Sequence, residues 1–267
     1  MPLSTHINIE GKAFTLQLLL DDSIKTFDLK ARELAWTAIA YASYLPPQNN
    51  WTNRDGKVFT FDDLARTLLE TDIEQQSCGG AHILYALTLF LRVDSQKPCL
   101  SPQVRDQILR RLRDSVALLV RSQHSDGSWS LLWDEPTKLK PAYVNAKPLK
   151  LLVTGHMLEW MEYLPVDLQP KAIVYKRAAD WLSGALNDLA SQHPFPAIMF
   201  CPRTHAICAL RNLIRAQGSA EMSIGLCPPQ LYGRIPSTLL AKRWRQESSF
   251  PLYSFQDRSF ACSDSCL

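Results

Sequence analysis

From Leu29 onward the apolar positions recur every three or four residues, the spacing of a helix that buries one face. The period predicts a helix over Ala31 to Leu45, which stops at Pro46-Pro47. A second is expected from Thr60, a capping residue followed by Asp62 and Asp63, to Glu70. Two more are expected over Gly80 to Val93 and from Ser101-Pro102 to Gln123, the latter burying Val104, Ile108, Leu112, Val116, Leu119 and Val120. After a polar loop, helices are expected over Leu149 to Leu164 and Asp167 to Ser191, with Val174, Ala178, Trp181, Leu182, Ala185 and Leu189 inward, and a last one over Arg203 to Ala216. Residues 5–20 instead alternate in part and turn at Glu10-Gly11-Lys12, which predicts a small β-hairpin. Three regions follow: an N-terminal β element at 1–28, a body of helical hairpins at 29–217, and an irregular segment at 218–267 that packs on the body or is partly disordered.

The helices resemble one another. Four share a pattern at Thr37-Ala-Ile-Ala-Tyr, His82-Ile-Leu-Tyr-Ala, His156-Met-Leu-Glu-Trp and His205-Ala-Ile-Cys-Ala. The first and third also end alike, at Tyr44-Leu45-Pro46 and Tyr163-Leu164-Pro165. The second and fourth share Cys-x-x-x-His, as Cys78 to His82 and Cys201 to His205. Repeated hairpins of this kind predict an all-α fold, an α/α barrel or solenoid.

The stretch Asp114 to Trp129, in which a helix ends at Gln123 and Gly127-x-Trp129 follows, resembles the repeat of the squalene cyclase and prenyltransferase α/α-toroid superfamily. A degraded copy lies at Gln192. The resemblance implies an α/α toroid or partial toroid whose inner ring is the four similar helices, their N-terminal ends opening onto one funnel. The chain carries no Asp-x-Asp-Asp and no Asp-Asp-x-x-Asp, which argues against a classical terpene cyclase. Thr154 to Trp160, TGHMLEW, is similar to a segment of the N-acylglucosamine 2-epimerase family, another α/α barrel with histidine acid/base chemistry.

Composition narrows the partners. With 29 basic and 26 acidic residues, the net charge of +3 is too mild to point to nucleic acid or an anionic membrane, and Lys242, Arg243 and Arg245 read as solvated. The longest apolar run, Ile83 to Leu91, falls well short of a membrane span. The N-terminus lacks the pattern of an export signal, and seven scattered cysteines leave an odd thiol, so a soluble cytoplasmic protein with reduced thiols is expected.

The candidate chemistry sits on the repeated histidines. An imidazole at a helix N-terminus is biased toward its neutral form, able to act as base, donor or metal ligand. His82, His156 and His205 are therefore candidate catalytic residues, with Glu159, one turn after His156, as an acid/base partner. Cys78, His82, Cys201 and His205 form a candidate metal set whose sulfur and nitrogen donors suit zinc. Tyr85, Trp160 and Arg203 are candidate substrate contacts, Arg203 as an anion anchor. The bland alternative is that the cysteines are small buried hydrophobes and the histidines cap or brace helices; Gln123, Asp126 and Trp129 are expected to form a structural clasp. The expected function is an enzyme acting on an apolar small molecule or peptide in the funnel by histidine or zinc-assisted chemistry. A non-catalytic scaffold that binds a protein partner and a carbohydrate isomerase-like barrel are the alternatives.

Overall fold

The structure is a computed structural model, and it describes residues 2–47, 50–73, 76–134 and 147–190. Among these residues the chain is mostly helical, with seven α-helices and a short N-terminal antiparallel hairpin. The expected helix at 203–216 and the segment at 218–267 lie outside the described residues.

Strands β1 (His6–Ile9) and β2 (Lys12–Thr15) pair with His6 opposite Thr15 and Ile9 opposite Lys12. Glu10 and Gly11 join them at φ of 50° and 77°, the two positive values that a tight turn matched to strand twist requires. The strand pattern stops earlier than the sequence suggested. Thr15 accepts a hydrogen bond from the Leu18 amide and caps α1 (Leu16–Lys25), so residues 16–20 are helical.

Helix α2 (Leu34–Tyr44) starts three residues later than expected because Glu33 is held in the left-handed region, φ 55° and ψ 39°. A second hairpin, β3 (Trp51–Thr52) and β4 (Val58–Phe59), was not anticipated. Asn53 organises its turn: its side-chain oxygen accepts from the Asp55 and Lys57 amides, and its amide donates to the Phe27 carbonyl at 3.0 Å. Phe27, Tyr41, Trp51, Phe59 and Phe61 then meet largely edge to face around this hairpin.

Helix α3 (Phe61–Glu70) opens on the expected cap, with Thr60 and Asp63 forming a reciprocal capping box. A short turn at Ser77–Gly80 leads into α4 (Ala81–Gln96), and α5 (Pro102–Ser122) begins at Ser101 and Pro102 as expected. The anticipated face of α5 is buried at Val104, Ile108, Leu112, Val116 and Leu119, while Val120 is exposed. Helix α6 (Lys147–Met161) is followed by α7 (Ala172–Ala190), which buries Val174, Ala178, Leu182 and Ala185 and half-buries Trp181.

Helix α4 is the centre of the packing. It contacts α2, α3, α5 and α6, and α7 packs on α6. Of the four helices with similar starts, the three described ones, α2, α4 and α6, lie side by side with α4 between the other two. No helix among the described residues is long and apolar enough to cross a membrane.

The loop after α5 ties three helices together. The Gln123 amide donates to the carbonyls of Gly127 and Val174, both at 3.0 Å, and the Trp129 indole donates to Leu119 at 2.9 Å. The Trp129 amide donates to the Thr154 hydroxyl on α6, and Arg177 on α7 donates to the carbonyls of His124 and Ser125. Asp126 accepts from Ser128 and from Lys150. The expected clasp is thus present. Gly127 is required in it, since its φ is 97° and an added Cβ would stand 2.3 Å from the Arg177 carbonyl oxygen.

Candidate functional site

The site begins with an unusual backbone. Cys78, Gly79 and Gly80 are consecutive left-handed residues, with φ of 56°, 62° and 72°. For a residue with a side chain this conformation costs on the order of 1 kcal/mol, and such outliers cluster at functional sites. The surroundings enforce it. The Trp133 indole donates to the Gly79 carbonyl at 2.9 Å, and an added Cβ at Gly79 would lie 2.5 Å from the Leu131 carbonyl oxygen. A Cβ at Gly80 would lie 2.2 Å from the Ile73 side chain. The two glycines let the chain turn sharply into α4 and present Cys78 to that helix.

His82, the second residue of α4, and His156, on α6, meet Cys78 there. The sulfur and one nitrogen of each ring lie within 4.8 Å of one another, and all three residues are buried. The histidine rings meet edge to face with centroids 4.9 Å apart, and Trp36 of α2 packs on His82 at 4.4 Å. Trp36 is therefore half-exposed cover over the site.

Each histidine has a carboxylate on its Nδ1 side. Glu159 Oε2 lies 3.0 Å from His156 Nδ1, and Glu33 Oε2 lies 3.7 Å from His82 Nδ1. A carboxylate at Nδ1 favours the tautomer that carries its proton there and makes Nε2 the donor atom for a metal. Glu33, like Cys78, is a non-glycine residue in the left-handed region, and the only other such residue described is Glu10 in the β1–β2 turn. Of the three such positions among the described residues, one therefore belongs to this cluster and one stands beside it.

A cavity of about 400 Å³ opens beside His82. Lys30, Arg32, Glu33, Thr67 and Gln76 are among its lining residues, so its wall is largely polar.

The sequence-derived candidates are distributed as follows. His82, His156, Glu159 and Cys78 are brought together. His82 starts its helix, but His156 lies well inside α6, because the helix already begins at Lys147 and Pro148; the expectation that both sit at helix N-termini holds for His82 alone. Tyr85 lies one turn beyond His82 against Tyr163, ring centroids 5.5 Å apart. Burial raises its pKa, and Tyr163, Glu159 and Glu162 raise it further, so it remains a neutral phenol. Trp160 is fully buried, its indole on the Met157 sulfur, and it does not line the cavity. Cys201, Arg203 and His205 lie outside the described residues. Sequence reasoning missed Glu33, whose only signal is a carboxylate immediately ahead of a helix.

The chain matches no known protein family, no curated protein and no solved structure.

Proposed function

We propose that Cys78, His82 and His156 form a mononuclear zinc centre of the open, three-ligand kind, in a hydrolytic enzyme that takes a polar substrate from the adjoining cavity. The observation that carries this reading is the convergence of one sulfur and two imidazole nitrogens within 4.8 Å in a buried site. A tetrahedral zinc with bonds of about 2.0–2.3 Å would hold its donors about 3.5 Å apart, so the cluster would tighten by at most about 1.3 Å to grip the ion. Zinc bound by three protein groups supplies a Lewis acid and a bound water that ionises near neutral pH. The chain's own residues do the rest. Glu159 fixes the His156 tautomer, and Glu33, which lines the cavity beside His82, is placed to take a proton from a water or to return one to a leaving group. Lys30 and Arg32 give the cavity a positive wall that favours a substrate with an anionic group over the apolar small molecule expected from the sequence.

The arrangement of α2, α4 and α6 as neighbours supports the reading that they are inner helices of a partial α/α toroid, with α3, α5 and α7 outside. A scaffold function is favoured instead if the cluster proves metal-free and inert.

The test is metal analysis of the full chain purified without chelator, beside Cys78→Ser and His156→Ala. About one zinc per chain, lost in both variants while the fold is kept, is the expected result. A metal-free wild type that does not take up added zinc overturns the centre. The His156–Glu159 pair would then be the remaining acid/base candidate.

A further inference from the structure

A second cavity, of about 330 Å³, lies between α3 and α5 and is lined by Arg66, Leu69, Glu70, Gln107, Arg110 and Arg111. Three guanidinium groups share this groove with a single carboxylate. Their charge is poorly neutralised by the protein itself. Arg66 approaches Asp62 only at 3.8 Å, and that carboxylate already accepts from the Ser101 amide at 2.9 Å. Asp106 and Asp114 stand one helical turn either side of Arg110, where ion pairs commonly form, yet among the described residues Arg110 and Arg111 make none. The Arg111 Nε is buried and without a hydrogen-bond partner.

We infer that this groove is a binding site for a small phosphorylated ligand carrying two or more anionic groups. The planar guanidinium matches two oxygens of a phosphate at once, and three of them around one groove favour a multiply charged anion over a single carboxylate. The volume exceeds what one inorganic phosphate fills, so there is room for a diphosphate or a phosphate ester, with Leu69 and Glu70 at hand for its organic part. The inference is independent of the zinc reading, since no residue is shared between the two sites.

The test uses the full chain and inorganic pyrophosphate, titrated calorimetrically at low ionic strength. Saturable binding that weakens as salt rises is expected. Arg110→Gln with Arg111→Gln should lower the affinity at least about tenfold, as two charge-assisted bonds are lost. Arg113→Gln, on the same helix but outside the groove, should leave it within about twofold and controls for overall charge. Denaturation midpoints check that all variants fold. No saturable binding, equal losses in the groove and Arg113 variants, or glutarate binding as tightly as pyrophosphate would each overturn the inference.

Discussion

His156 and Glu159 lie one turn apart on α6 and meet at 3.0 Å, Nδ1 to Oε2, with the histidine buried and the carboxylate reaching toward its edge. A Gln at 159 can still accept from Nδ1 but carries no charge. If zinc fills the centre, Glu159→Gln should weaken its affinity about ten- to a hundredfold. Competition with a chromophoric chelator measures this, and an unchanged affinity would show that the carboxylate does not tune the ligand.

Two glycines with similar φ should respond differently to alanine. At Gly127 the new Cβ meets the Arg177 backbone at 2.3 Å, whereas at Gly56, φ 77°, nothing lies within 4 Å. Gly127→Ala should therefore cost about 3 kcal/mol or more, and Gly56→Ala only the backbone term of about 1 kcal/mol. Urea denaturation of both variants distinguishes a steric clasp from ordinary turn strain.

Asp126 gives the clasp a pH dependence. Burial pushes its carboxyl up, but hydrogen bonds from Ser128 and the Lys150 ammonium outweigh this and hold it down at about 2. An unfolded aspartate titrates at about 3.9. The folded state thus gains stability that is full above about pH 4 and is lost as pH falls toward 2. Asp126→Asn should lose stability less steeply across that window, and denaturation midpoints at pH 5 and pH 2.5 test it; parallel losses would refute the assignment.

The Cys99 thiol should be chemically quiet. Burial raises it, and the carboxylates of Asp94 and Asp62 push further, to about 12. Asp94 is fixed there because it accepts from the Cys99 and Leu100 amides at 2.8 and 2.9 Å. At pH 8 alkylation of Cys99 in the native chain should be at least about a hundredfold slower than in the urea-unfolded chain. Peptide mapping after iodoacetamide treatment reads the ratio, and comparable rates would contradict it.

Much of this fold is written locally. The α5 stripe from Val104 to Leu119 and the caps at Thr60 and Ser101 could be read from spacing and residue type, because each depends on neighbours within a few turns, whereas the clasp of Gln123 and Trp129 was expected from the repeat it resembles and its bonds to Val174 and Thr154 are long-range. The β3–β4 hairpin was missed since its strands are two residues each, although Asp55-Gly56 marks the turn. Helix α1 was missed because Leu18 to Leu20 read equally well as strand. At the site, Cys78, His82, His156 and Glu159 were legible as residue types, but the pairing of Cys78 and His82 with His156 depends on α4 lying against α6. Glu33 had no periodic signature; its position comes from a left-handed backbone that only tertiary packing sustains.

The central place of α4 also bears on the order of assembly. Its contacts with α3 and α5 are between chain neighbours and can form early, whereas His82 meets His156 only after α5, the clasp and most of α6 have been added. On a growing chain, Cys78 and His82 therefore wait in a half-built core until α6 docks. Slow steps in refolding should track the docking of α6, making Trp129 and Trp133 useful fluorescent reporters of when the two halves of the molecule close.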